Sequence, residues 1–415
     1  MVTSGAAFSD FGSRTQDRAL DLPTILVAGG CFFLPFMNLR PDGILFTFSD
    51  LIFFLGGAAL LLRGQLSAVP MGPMTSFWFV GLALLLGGLL VSSIWHGTVE
   101  RWLSIGSQYA FSLIALPMMF AAASWGKWLF LARALVFGVI GMEILTFAIL
   151  NYYGWPYEDI YPRFGREFLT GAGRVSGFIG GANLHAAVLC MTLPFVYYLR
   201  MTGKMSLPVF VFALGMLGTG VFYSASVTGF FSLLAMSLSF ILLAGVKISA
   251  RFIGLAAAAA AVFVFAGAPL PKAFDKRIGS ALDSGQIEEA GTFADRLELA
   301  KESWRMTNDS LLIGVGADNY RNVSEYKMPV HNSHLLMWVE GGSASIVGWI
   351  GLFGILLFSA FATMRYDRPS AALLASVLLV LVIFSLAAPH MYARVWMAPV
   401  LLAAAPVFAR LRSDG

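Results

Sequence analysis

About a dozen long apolar runs, separated by short polar or basic segments, constrain this chain more than any other feature of its 415 residues. They span residues 23–39, 44–62, 75–95, 102–124, 128–150, 183–199, 206–223, 228–246, 252–270, 333–361, 371–388 and 394–410. A helix of about 20 apolar residues is about 30 Å long, the thickness of a bilayer's hydrocarbon core. With 58% hydrophobic residues, 12% charged residues and a mean hydropathy of +0.77, the chain cannot build the surface of a soluble domain. In lipid every backbone polar group must be bonded internally, and these runs lack the period-2 alternation of barrel strands. The expected fold is therefore all-α, a polytopic integral membrane protein with about 12 transmembrane helices. The expected layout is a cytoplasmic N-terminal tail at 1–22, helices 1–9 in 23–270, a loop with a helix at 271–332, helices 10–12 in 333–410, and a cytoplasmic C-terminus at 411–415.

Basic residues orient the bundle. Arg63, Lys127, Arg200, Lys204, Lys247, Arg251, Arg365, Arg368, Arg410 and Arg412 fall on one side, whereas the short loops of the other carry Arg40, Arg101 and Arg394. The positive-inside rule puts both termini in the cytoplasm. Two longer polar stretches, 151–182 and 271–332, then lie outside. The second holds ADRLELAKESWRM, where Leu297, Ala300 and Trp304 recur at helical spacing, followed by the turn-rich GVGADN. The net charge of +4 is spread over many loops and makes no nucleic-acid footprint, so no nucleic-acid partner is expected. Cys31 and Cys190 sit inside apolar runs as small buried hydrophobes, not as a disulfide framework.

The candidate chemistry gathers outside. All five histidines, His96, His185, His331, His334 and His390, fall in outer loops or at outer helix ends. With them stand Arg163, Arg166 and Arg174 before the sixth run, Arg296 and Arg305 in the large loop, and Arg394 at the last run. Interfacial histidines and lipid-paired arginines are common, so position alone gives none of these a role. Arg174 stands apart, because GRVSGFIGGANLHAAV runs straight into a helix N-terminus, where free N–H groups and the helix dipole favour an anion. His331 and His334 are spaced i, i+3 in HNSHLLMWVEGG, but no third ligand accompanies them at a matching spacing, so no metal is expected. GVGADN lacks the βαβ context of a nucleotide loop, and no G-x-S-x-G elbow is present. Asp50, Glu143 and Glu340 lie within apolar runs, where ionisable groups face a cavity or a partner. They do not form a chain of acids across the bilayer, which counts against a proton-coupled transporter.

Four landmarks resemble the O-antigen ligase and polysaccharide polymerase family of bacterial inner-membrane proteins. RVSGFIGGAN, Arg174 to Asn183, resembles the family's Arg-x-x-Gly stretch ending in Asn, with Ala182 where a proline is frequent. Arg296 to Val323 resembles its amphipathic helix followed by Gly-x-Gly-x-x-Asn. His331 to Gly342 matches the His-Asn signature followed after nine residues by Gly, with Ser345 at the usual next glycine. His390, Arg394 and Trp396 resemble the final outer-edge motif. One departure is SASVTGFF, Ser224 to Phe231, which lacks the arginine many members carry there.

The resemblance implies transfer of an undecaprenyl-diphosphate-linked glycan to a sugar hydroxyl, without cofactor or metal. His331 is then the expected base, and Arg174, Asn183, Arg296, Arg305, Asn332, His334, Glu340, His390 and Arg394 the expected diphosphate or glycan contacts. Expected partners are the lipid-linked glycan, an acceptor glycan or lipid A core, and membrane lipids. The expected place is the bacterial inner membrane, with the site facing the periplasm. Between the family's activities the reading inclines to a surface polysaccharide polymerase, for O-antigen or exopolysaccharide. O-antigen ligase is the alternative, and a lipid-linked glycan transporter or flippase the rival of another class.

Overall fold

A computed structural model describes residues 20–40, 46–155, 157–165, 167–246, 293–309 and 311–413. The expected run at 252–270, the loop residues 271–292, Arg166, Lys247, Arg251 and most of the N-terminal tail lie outside the described residues. Among those described, regular structure is helical, apart from one isolated antiparallel bridge between Leu169 and Val175. The helices are α1 Leu22–Phe33, α2 Phe48–Leu62, α3 Thr75–His96, α4 Val99–Ala110, α5 Leu116–Ala121, α6 Trp125–Tyr153, α7 Tyr157–Phe164, α8 Ala182–Met201, α9 Leu207–Tyr223 and α10 Val227–Ala244. They continue as α11 Phe293–Asp309, α12 Tyr320–Val323, α13 Ser333–Thr363, α14 Arg368–Ser385 and α15 Arg394–Ser413.

Eight of these segments are long and apolar enough to cross a membrane, with α4 and α5 joined through a π-helical turn at Phe111–Ala115 into a single segment. Three further expected runs form shorter apolar helices, α1, α2 and α9. At 12 residues α1 is only about 18 Å long. It stops before Pro35, which brings no N–H of its own to continue the helical hydrogen bonds.

Local chemistry sets the helix starts. Asp21 caps α1 by accepting from the Thr24 N–H at 3.1 Å, and Thr47 and Asp50 form a reciprocal capping box on α2. Between helices, small residues allow close approach: a Cβ on Gly348 would stand 2.3 Å from the Gly81 carbonyl, and Ser345 Oγ donates to the Leu85 carbonyl at 2.8 Å, joining α13 to α3. Helices α8, α14 and α15 are mostly buried and make the centre, while α2, α3, α10 and α13 turn side chains such as Phe54, Phe77, Leu242 and Phe358 outward. That outward belt is the surface expected of a bundle solvated by lipid.

At one end of the bundle Asp21 pairs with Lys127 at 3.0 Å and with Arg63 at 3.8 Å, tying α1, α6 and α2 together. Burial works against ionisation of Asp21, but bonds from Thr24 and Lys127 outweigh it and hold the carboxyl down at about 2. At the other end the C-termini of α3, α9 and α14 meet the N-termini of α4, α8, α10, α13 and α15. The chemistry described below is there.

Candidate active site

The HNSH sequence divides its work among neighbouring residues. Asn332 is the N-cap of α13, its Oδ1 accepting from the N–H groups of His334 at 3.0 Å and Leu335 at 3.1 Å. His331 therefore stands immediately outside a fixed helix start. Ser333 Oγ donates to the Ala388 carbonyl at 3.0 Å, and His334 Nε2 meets Ser385 Oγ at 2.8 Å, so both tie α13 to the end of α14. His331 and His334 thus serve different neighbours. Burial, and next the positive charge of Arg296, push the His331 imidazole below its ordinary value, with a backbone interaction from Pro329 pulling the other way.

Arg296 comes from α11, the helix expected from the spacing of Leu297, Ala300 and Trp304. The stripe Leu297, Ala300 and Trp304 does not enter the core, since Leu297 and Trp304 are exposed, while Leu299, Ser303 and Thr307 are buried. Period 3.6 identifies a stripe, but two stripes compete here, and the buried acid Glu302 selects the more polar one. Its carboxylate accepts from Tyr320 Oη at 2.7 Å, Ser324 Oγ at 2.8 Å and the Glu325 N–H at 2.6 Å. Despite burial, these bonds hold its pKa below the usual range. The outward stripe lines an open cavity of ≈ 540 Å³ together with Lys301, Arg305 and Leu335. An apolar wall and two cations therefore face the same space, and Trp304 meets Trp338 of α13 edge to face at 5.7 Å.

GVGADN is a docking turn. Its Gly314 and Ala317 N–H groups donate to Ser92 Oγ and Ser93 Oγ of α3, each at 2.9 Å, and His96 Nδ1 meets the Gly314 carbonyl at 2.9 Å. On the other side Val315 and Gly316 donate to the carbonyls of Val339 and Glu340 at 2.8 and 2.9 Å. Those carbonyls are available because α13 opens at Gly342, with φ 69° and ψ −169°. A Cβ there would lie 2.1 Å from the Leu312 carbonyl oxygen, in a backbone region L residues avoid. This is the physical reason for the glycine of the His-Asn signature. Gly342→Ala is expected to destabilise the protein by about 2–3 kcal/mol, and thermal unfolding in detergent checks it.

Behind the turn three ionisable groups converge. Glu340 accepts from the N–H groups of Asp318 at 2.8 Å and Tyr320 at 3.3 Å, and His390 Nε2 lies 3.2 Å from Glu340 Oε2 and 3.9 Å from Asp318 Oδ1. One ligand atom from each of Asp318, Glu340 and His390 falls within 4.8 Å of the others, which is within reach of a metal ion. The charge is already balanced, because Arg321 and Arg101 reach Asp318 Oδ2 at 2.5 and 3.4 Å. Burial pushes the His390 pKa down, but the facing carboxylates, Glu340 above all, outweigh it and raise it. We read the cluster as an ionic latch between the turn, α13 and the 386–393 segment. Asp318, Arg101 and Arg321 were not candidates by sequence. Their one local signal is the turn that gives Asp318 a positive φ of 52°.

Arg174 lies in a tight turn ahead of α8. Its Nε donates to the Ser224 carbonyl at 3.0 Å and its Nη2 to Asn183 Oδ1 at 2.8 Å, while Ser226 Oγ reaches the same Oδ1 at 3.0 Å. Asn183, expected to meet substrate, is thus an anchor of the guanidinium, and SASVTGFF supplies the Ser224 carbonyl to the guanidinium and the Ser226 hydroxyl to Asn183. Arg163 is spent locally, donating to the Asp159 carbonyl at 2.7 Å and lying 5.1 Å over the Tyr153 ring. Arg394 is buried, paired with Asp50 and reaching Gln108 Oε1 at 3.3 Å, so its charge is matched within the protein. Of the three acids in apolar runs, Asp50 has an arginine partner, whereas Glu143 pairs with His185 and Glu340 with His390.

Residues 210–350 match the model of a protein family described as O-antigen ligase. That stretch holds Arg296, Arg305, His331, Asn332, His334, Glu340 and Gly342. The match supports the assignment that the motifs gave. No curated protein matches the chain.

Proposed function

We propose that this protein, whose residues 210–350 match a family described as O-antigen ligase, transfers a glycan from undecaprenyl diphosphate to a sugar hydroxyl at the periplasmic face of a bacterial inner membrane. The observation that carries the reading is His331. It stands just outside a capped helix start, four residues before Leu335 of the cavity wall, and burial and Arg296 push its pKa down. In the proposed step a ring nitrogen of His331 accepts the acceptor hydroxyl's proton as that oxygen bonds to the anomeric carbon. The bond from that carbon to the diphosphate oxygen breaks, and undecaprenyl diphosphate leaves with the electron pair. Arg174 offers a planar guanidinium to the diphosphate charge, and the apolar wall of α11 suits a polyprenyl chain.

A base must be deprotonated to act. Because the His331 pKa is depressed, the acidic limb of kcat/KM is expected to lie below the ordinary histidine range, with activity lost as pH falls through the depressed value. Arg296→Gln removes a positive neighbour and should move that limb to higher pH. A limb that stays in place on this substitution contradicts the role of Arg296.

We favour polymerase, with a second lipid-linked repeat as acceptor, because the cations fall into two groups, Arg174 in its turn and Arg296 with Lys301 and Arg305 on α11. Two diphosphate-bearing lipids need two such groups. A ligase would use the second group for a phosphorylated lipid A core. Purified protein given only lipid-linked repeats should build a ladder of longer chains. Transfer that begins only on addition of lipid A core makes it a ligase.

A further inference from the structure

We propose that Glu143 and His185, which no motif singles out, are positioning residues that set where the Arg174 guanidinium stands; this rests on the reading of Arg174 as the diphosphate clamp. Both side chains are completely buried, Glu143 in the outer half of α6 and His185 in the first turn of α8. His185 Nδ1 lies 3.0 Å from the Val175 carbonyl, and its Nε2 is bonded to Glu143 Oε1. Only a protonated Nδ1 can bond a carbonyl, so the Nε2–Glu143 contact shares a single proton and the pair is neutral overall wherever that proton sits.

Such a pair inside an apolar bundle is less favourable than packed hydrophobic side chains of the same size. Glu143 Oε2 also has no hydrogen-bond partner among the described residues. The helices make room for it: a Cβ on Gly220 of α9 would lie 2.3 Å from that oxygen. What the arrangement holds is the backbone next to Arg174. The Val175 N–H donates to the Tyr223 carbonyl at 3.0 Å, and its carbonyl accepts from His185, so this residue is fastened to α9 on one side and to α8 and α6 on the other. The turn is closed by the Thr170 N–H on the Arg174 carbonyl at 3.0 Å and the Arg174 N–H on Thr170 Oγ1 at 3.1 Å. With the backbone fixed at Val175, the guanidinium reaches Ser224 and Asn183. Neither Glu143 nor His185 is exposed to a substrate, so both act through this turn.

Two isosteric substitutions separate this from a merely structural role. His185→Asn puts an amide N–H where Nδ1 stands, and His185→Gln puts one near Nε2. His185→Asn should keep kcat/KM for the lipid-linked donor within about threefold of the parent, and His185→Gln should lower it by about 10–100-fold, with KM for the acceptor unchanged. Glu143→Leu, which frees the ring to turn, should behave like His185→Gln. In an Arg174→Lys background, where no guanidinium fork is left to aim, the loss from Glu143→Leu should shrink to about threefold or less. Equal activity of the Asn and Gln variants, or a Glu143→Leu loss undiminished in the Arg174→Lys background, overturns the proposal. An Arg174→Lys protein as active as the parent shows instead that the clamp reading has failed, and the proposal falls with it.

Discussion

His331→Ala is expected to lower kcat/KM for glycan transfer by about 10²–10⁴-fold, the usual contribution of a positioned base, with the protein inserted and folded as before. The loss falls on chemistry because of how the residue is held. His331 precedes the N-cap, and among the described residues the side-chain hydrogen bonds that fix the start of α13 come from Asn332, Ser333 and His334. Removing the ring leaves the cap, the tie to Ala388 and the tie to Ser385 in place. Asn332→Ala affects the helix start itself, so it should lower stability as well as rate. A His331→Ala protein that transfers at the parent rate removes the base from the mechanism.

Arg394→Met should have the largest effect on stability, about 3–5 kcal/mol, because it strands a buried carboxylate. Asp50 is 4% exposed and Arg394 5%, and Asp50 Oδ2 also accepts from the Thr47 N–H at 2.7 Å and Thr47 Oγ1 at 2.9 Å to start α2. One ion pair therefore joins the beginning of α2 to the beginning of α15. Combining Arg394→Met with Asp50→Asn leaves no uncompensated charge and should recover much of the loss. Unfolding in graded denaturant with detergent measures both proteins. A single variant as stable as the parent shows that the pair is not what holds these helix ends together.

The features legible in the sequence were those that repeat or lie close together along the chain. Apolar runs placed the helices, and the adjacent residues of HNSH placed His331 at the start of α13. Length was less legible, since hydropathy continues through Pro35 while α1 does not. The inward face of α11 was not legible at all, because Glu302 finds its partners on Tyr320, Ser324 and Glu325 only once the chain has folded back. The same holds for Asp318, Glu340 and His390, and for Glu143 and His185, pairings made across helices by residues far apart in sequence. GVGADN was visible as a turn, but its work, donating N–H groups to α3 and to the opened backbone at Gly342, belongs to packing.

On the proposed function this protein breaks the bond between glycan and diphosphate and does not merely move the lipid-linked glycan. Proteoliposomes holding the purified protein and a lipid-linked repeat, labelled separately in its sugar and in its diphosphate, test this most directly. One undecaprenyl diphosphate should be released for each glycosidic bond formed, and His331→Ala should stop both together. Sugar and diphosphate labels that cross the bilayer still joined, with no free undecaprenyl diphosphate at any time, would contradict it.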